Sequence, residues 1–126
     1  MTILIVDDQE NMCWVLSKIL SDAGFIARTA NTIREALSAF NEGGISAAVI
    51  DFRLPDGNAF DLFLELNKRG IHIPCIFMTS YGSSKLRKKA LQLGFSAYFD
   101  KPFDNNTLTG SLISALGNPY PENSGN

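Results

Sequence analysis

Short apolar runs recur along the chain as ILIV (3–6), AAVI (47–50), CIFM (75–78) and AYF (97–99), each too brief to form a helix alone. Continuous apolar runs of this length predict strands buried on both faces, as in a parallel sheet. Residues 25–30 alternate instead and predict a further strand, second in chain order, at a sheet edge. Between the runs, Met12, Val15, Leu16, Ile19, Leu20 and Ala23 lie three and four apart, which makes one stripe on a helix. The same spacing appears at Ile33, Ala36, Leu37 and Phe40, at Phe60, Phe63 and Leu64, and at Leu108, Leu112 and Leu116. Gly24, Gly43 with Gly44, Gly70 and Gly94 follow the successive helical segments, where left-handed C-caps fall. Strand and helix thus alternate five times along the chain. Right-handed crossovers that put helices on both faces of a parallel sheet satisfy that order, so the expected class is α/β, doubly wound.

Composition narrows the picture. A chain of 126 residues can bury one core without disulfides or structural metal. With 45% hydrophobic and 19% charged residues it reads as globular rather than disordered. The last ten residues, GNPYPENSGN, have no apolar periodicity, so the folded domain is expected over 1–117 and a flexible tail or linker start over 118–126. A net charge of -2 argues against direct nucleic-acid binding, which needs clustered, unneutralised Lys and Arg. Cys13 and Cys75, far apart in sequence, read as free thiols in a reducing cytosol. No apolar run reaches the ~18 residues of a membrane span and no signal-peptide pattern opens the chain, so it is expected in the cytoplasm, away from membranes.

In open parallel sheets the functional crevice lies beyond the carboxyl ends of the strands. Just after the apolar runs come Asp7 and Asp8, Asp51, Thr79 with Ser80, and Lys101 followed by Pro102. Each alone has an ordinary reading: helix cap, solvated strand end, turn residue or surface lysine. Together, three carboxylates, a hydroxyl and an ammonium converge on one rim. Carboxylates so close repel one another unless a cation sits among them, and an all-oxygen set without His or thiolate suits Mg²⁺. Asp7 and Asp8 would hold the ion, leaving Asp51 as a carboxylate nucleophile toward phosphorus. Lys101 would neutralise the phosphoryl oxygens and Thr79 would hydrogen-bond the group once attached.

Through ILIVDD, AAVIDFRLPDG, PCIFMTSYG and AYFDKPF the chain resembles the bacterial response-regulator receiver domain, of the chemotaxis-regulator kind, up to about residue 117. The resemblance implies a flavodoxin-like (βα)5 fold with strand order 2-1-3-4-5. It implies Asp51 as phosphoacceptor, with Mg²⁺ bound directly by Asp8, Asp51 and the backbone carbonyl of Arg53, and by Asp7 mainly through water. Thr79 and Lys101 match the phosphoryl-sensing pair, Tyr98 the switch aromatic, expected to turn inward from solvent, and Lys101–Pro102 a cis bond. The implied partners are a sensor histidine kinase or histidine phosphotransfer protein as donor, and an attached effector domain or output protein that regulates transcription. Homodimerisation on phosphorylation is one route to output. The chain is therefore expected not to be a metabolic enzyme but a switch with autocatalysed phosphoryl transfer and self-dephosphorylation. A haloacid-dehalogenase-like phosphatase shares Asp, Mg²⁺, hydroxyl and Lys, but needs an acid two residues past its nucleophile, where this chain has Arg53. A flavodoxin-like electron carrier would need hydrogen-bond donors, not acids, after the first strand. Arg53 and Tyr81 are expected to flank the site entrance, and Trp14 to be partly exposed near the acidic rim.

Overall fold

The computed structural model describes residues 1–117; the tail or linker expected over 118–126 lies outside the described residues. The elements run β1 (Thr2–Val6), α1 (Glu10–Asp22), β2 (Ile26–Ala30), α2 (Ile33–Glu42), β3 (Ile45–Asp51), β4 (Arg53–Leu54), β5 (Gly57–Asn58), α3 (Ala59–Lys68), β6 (Cys75–Thr79), α4 (Ser84–Leu93), β7 (Ala97–Asp100) and α5 (Asn105–Leu116). Five of the strands form one parallel sheet in the order β2-β1-β3-β6-β7. That is the expected 2-1-3-4-5 order once the two short strands β4 and β5 are set aside.

Side chains alternate across the sheet and divide the core in two. On one face Leu4, Val6, Ala48, Ile50 and Phe77 pack against Phe40 of α2, Phe60, Leu62 and Phe63 of α3, and Ala90 of α4. On the other, Ile3, Ile5, Val49, Ile76 and Met78 meet Cys13, Leu16 and Leu20 of α1 and Leu108 and Leu112 of α5. Burial on both faces is why the strand runs carry no polar alternation. Two helical stripes are phased differently from the sequence expectation. Val15 and Leu64 are exposed, and Cys13, with Leu62 and Leu66, fills the inward positions. An exposed Val beside inward Cys shows that position on the helix, not apolarity, decides which residue is buried.

Residues 53–58, just after Asp51, form the β4–β5 hairpin, which apolar periodicity could not reveal in strands of two residues. The hairpin ties two helices to the end of β3. Asp56 at its tip accepts hydrogen bonds from the Ile33 (2.9 Å) and Arg34 (3.1 Å) amides at the start of α2. Those bonds, the Ile33 one first, hold its carboxyl below the usual aspartate range. Thr32 accepts from the Glu35 amide, so α2 begins with its free N–H groups satisfied. Gly57 has φ +152°, a conformation that L side chains rarely adopt, and a Cβ there would sit 2.7 Å from Ile33 Cδ1, so glycine suits the close approach of the hairpin to α2.

Helix α5 contains no charged residue and has Gly110 in its interior, with nothing within 4 Å of where a Cβ would lie. Glycine costs an exposed helix interior about 0.5–1 kcal/mol relative to alanine. Gly110→Ala is expected to stabilise the fold by about that amount, read as a higher urea midpoint at unchanged m-value.

Candidate functional site

The sheet's twist and parallel order bring the ends of β1, β3, β6 and β7 to one rim, where Asp8, Gln9, Asp51, Arg53, Thr79 and Lys101 line a cleft of about 190 Å³. Asp7, Asp8 and Asp51 each present a carboxylate oxygen within 4.8 Å of the others. Lys101 reaches in from the end of β7 and bridges two of them, 2.9 Å from Asp7 Oδ2 and 3.0 Å from Asp51 Oδ1. Asp7 is fully buried, and its second oxygen accepts the Gln9 amide at 2.9 Å. Both Asp7 oxygens are thus engaged, whereas Asp8 is exposed and has no hydrogen bond or ion pair among the described residues.

The electrostatics follow from this packing. Burial pushes the Asp51 carboxyl above the ordinary aspartate value; Lys101 opposes that shift and the charges on Asp7 and Asp8 add to it. Burial would pull the Lys101 ammonium down, but hydrogen bonds to Asp7 and Asp51 outweigh it and hold it above the usual lysine value. Three close carboxylates with one ammonium leave uncompensated negative charge, and the donor set is all oxygen with no His or thiolate. That set fits a hard divalent cation.

Thr79 is buried at the cleft floor, where its hydroxyl accepts the Tyr81 amide at 3.1 Å and its carbonyl accepts the Lys101 amide at 2.7 Å. The Lys101–Pro102 bond is cis. Arg53 lies over the Tyr81 ring at 5.8 Å, so these two residues stand together at the mouth. Trp14 is 68% exposed on α1. Tyr98 is placed differently from the expectation of a solvent-facing ring. It is already turned inward, stacked on Phe77 at 5.3 Å, with its hydroxyl donating to Asp100 Oδ1 at 3.0 Å. Burial first, then the Asp100 carboxylate, raise its pKa. The space it occupies exists because residue 82 is glycine; a Cβ there would overlap the Tyr98 hydroxyl and the Asp100 carboxylate. Gln9, Asn31 and Asp100 were not singled out by sequence. The only cue was TIRE at 32–35, a capping pattern that places Asn31 at the turn into α2.

Residues 3–113 match the response regulator receiver domain family. The chain belongs to that family. The receiver is 32% identical over 124 residues to the photosynthetic apparatus regulatory protein RegA of Cereibacter sphaeroides, covering 97% of this chain and 67% of the relative. It is 31% identical over 117 residues to the transcriptional regulatory protein FixJ of Azorhizobium caulinodans, covering 90% of this chain and 54% of that protein. Among solved structures, the non-phosphorylated HemR receiver domain of Leptospira biflexa superposes with a TM-score of 0.83 at 29% identity, over 97% of this chain and 98% of that one. The Vibrio cholerae chemotaxis protein CheY4 gives 0.84 at 25% identity, over 91% and 98%. The receiver thus spans from about half to two thirds of these curated relatives. One expectation is corrected here. The reading of the chain as a non-enzyme with autocatalysed phosphoryl transfer and self-dephosphorylation gives way to the coarser one that the family match and the relatives show, a response regulator receiver domain. No helix among the described residues is long and apolar enough to cross a membrane.

Proposed function

We propose that this receiver accepts a phosphoryl group on Asp51 from the phosphohistidine of a sensor kinase or phosphotransfer protein in the cytoplasm. The observation that carries the reading is the Lys101 bridge between Asp7 and Asp51 in a cleft that also presents Asp8 and Thr79. In the transfer the donor's N–P bond breaks and an Asp51 Oδ–P bond forms, giving an acyl phosphate. Mg²⁺ would be held by Asp8, Asp51 and the Arg53 carbonyl. Asp7 would act through water, in keeping with its two occupied oxygens. When bound, the ion balances the phosphoryl charge alongside Lys101. The Thr79 hydroxyl can keep accepting the Tyr81 amide while donating its proton to a phosphoryl oxygen, since a hydroxyl has both capacities. Exposed Trp14 and Val15 on α1 offer the donor an apolar foothold.

Output would run through Thr79 and Tyr98. Because Tyr98 is already inward, phosphorylation would reinforce this arrangement rather than create it, shifting a population by differential affinity. The receiver domain would occupy 1–117, and the signal would pass to an attached effector or an output protein that regulates transcription, or act by homodimerisation.

The test is intact-mass spectrometry after incubation with a phosphoramidate donor and Mg²⁺. One phosphoryl group is expected on the wild type, none on Asp51→Asn, and none with excess EDTA. Equal incorporation in Asp51→Asn would remove Asp51 as the acceptor, and incorporation untouched by EDTA would remove the metal.

A further inference from the structure

We propose that Asn31, assisted by the Cys13 thiol, is a positioning residue that fixes the Asp7–Asp8 peptide and so aims Asp8 into the cleft. Asn31 Nδ2 donates to the Asp7 carbonyl at 2.8 Å, and Cys13 Sγ donates to the same oxygen at 3.3 Å. Asn31 Nδ2 also lies 3.7 Å from Cys13 Sγ, so the two donors support each other. They come from different elements, the turn into α2 and the first turns of α1. The oxygen they hold belongs to the peptide whose nitrogen is that of Asp8. On the other side, the Asp7 amide donates to the Ala30 carbonyl at 3.0 Å and the Asp7 carboxylate is fixed by Gln9 and Lys101. Asp7 is therefore anchored at every polar atom. Asp8, exposed and without a side-chain partner among the described residues, depends for its direction on the backbone that this peptide anchors. A ligand residue without contacts of its own binds a cation well only when its backbone is held beforehand, because ordering it on binding costs entropy.

This inference rests on the Mg²⁺ reading, and its test separates the two. Mg²⁺ is titrated calorimetrically into the full chain, and the order parameter of the Asp8 N–H is measured without metal. Asn31→Ala is expected to weaken Mg²⁺ roughly fivefold, the equivalent of one lost hydrogen bond. It should also lower the Asp8 order parameter from the rigid value of about 0.85. Cys13→Ser, which keeps a donor, should preserve both, and saturating Mg²⁺ should restore phosphoryl acceptance in Asn31→Ala. A folded Asn31→Ala with wild-type affinity and an unchanged Asp8 order parameter overturns the proposal. Should the wild type take up no Mg²⁺, the metal reading falls by itself. The order parameter then decides the positioning role: a drop in Asn31→Ala upholds it and no change overturns it.

Discussion

Lys101→Met is expected to cost the fold about 3–5 kcal/mol at neutral pH, the usual penalty for removing one partner of a buried charge pair. The Lys101 side chain is 7% exposed, and Asp7, which it pairs, is wholly buried. Methionine matches the length of the lysine stem but leaves the buried Asp7 carboxyl without its ammonium partner, with Asp51 and Asp8 close by and nothing between them. The pH dependence gives this prediction its signature. Lys101 has a raised pKa in the fold, so its contribution is full below the ordinary lysine value and is lost only as pH rises through the raised one. At neutral pH the whole effect is therefore present. Asp51 is also raised, which for a carboxyl means the opposite balance. Its contribution is full below the ordinary aspartate value and disappears as pH rises through the folded one, so ionised Asp51 is a net cost at neutral pH. Asp51→Asn should accordingly stabilise the protein at pH 7.5 while Lys101→Met destabilises it. Both differences from wild type should shrink as the carboxyls protonate toward acid pH. Urea unfolding of the three proteins across that range checks the signs, and a Lys101→Met variant as stable as the wild type would mean that the bridge is not formed in solution.

The acidic rim was legible because its residues directly follow apolar runs, and strand ends at one edge of a parallel sheet must converge whatever the details of packing. Asp7 and Asp8 read alike in sequence, yet one is buried and one exposed, because consecutive positions after a strand point to opposite sides. The supporting contacts were not legible, since each joins residues far apart in the chain. Asn31 lies 24 residues from Asp7, Asp56 lies 23 from Ile33, and Lys101 lies 94 from Asp7. Polar partners of this kind have no periodicity to announce them. Tyr98 is the instructive case. Its place in β7 could be read, but its inward rotamer depends on the absence of a side chain at Gly82 and on an acceptor at Asp100. Val15 and Leu64 failed for a simpler reason: an apolar residue near the edge of a stripe can fall to either side, and a shift of one position on a helix turns it by about 100°.

Phe77→Ala is expected to destabilise the protein by about 3–5 kcal/mol, a large share of the 5–15 kcal/mol that a domain usually has. Phe77 has no exposed surface, and it stands on β6 where the rings of one core face meet. Phe52, Phe60, Phe95 and Tyr98 all have ring centroids between 5.3 and 5.5 Å from it. Truncation there leaves a cavity among four rings, so a cavity term adds to the lost transfer energy. Phe77→Leu, which keeps much of the volume, should cost considerably less. The loss should also be one-sided. Phe77 and the next residue, Met78, point to opposite faces of the sheet, and Met78 packs with Ile5, Leu16 and Leu112 in the other core. Methyl and aromatic NMR shifts in Phe77→Leu should therefore move at Tyr98, Phe95 and Phe60, while those of Met78 and Leu112 stay near their wild-type positions. Tyr98 would lose its stacking partner and with it part of what holds the ring inward. If the shifts spread equally through both faces, the sheet does not separate the two cores as its alternation implies, and Tyr98 is coupled to the whole domain rather than to the face that α2, α3 and α4 cover.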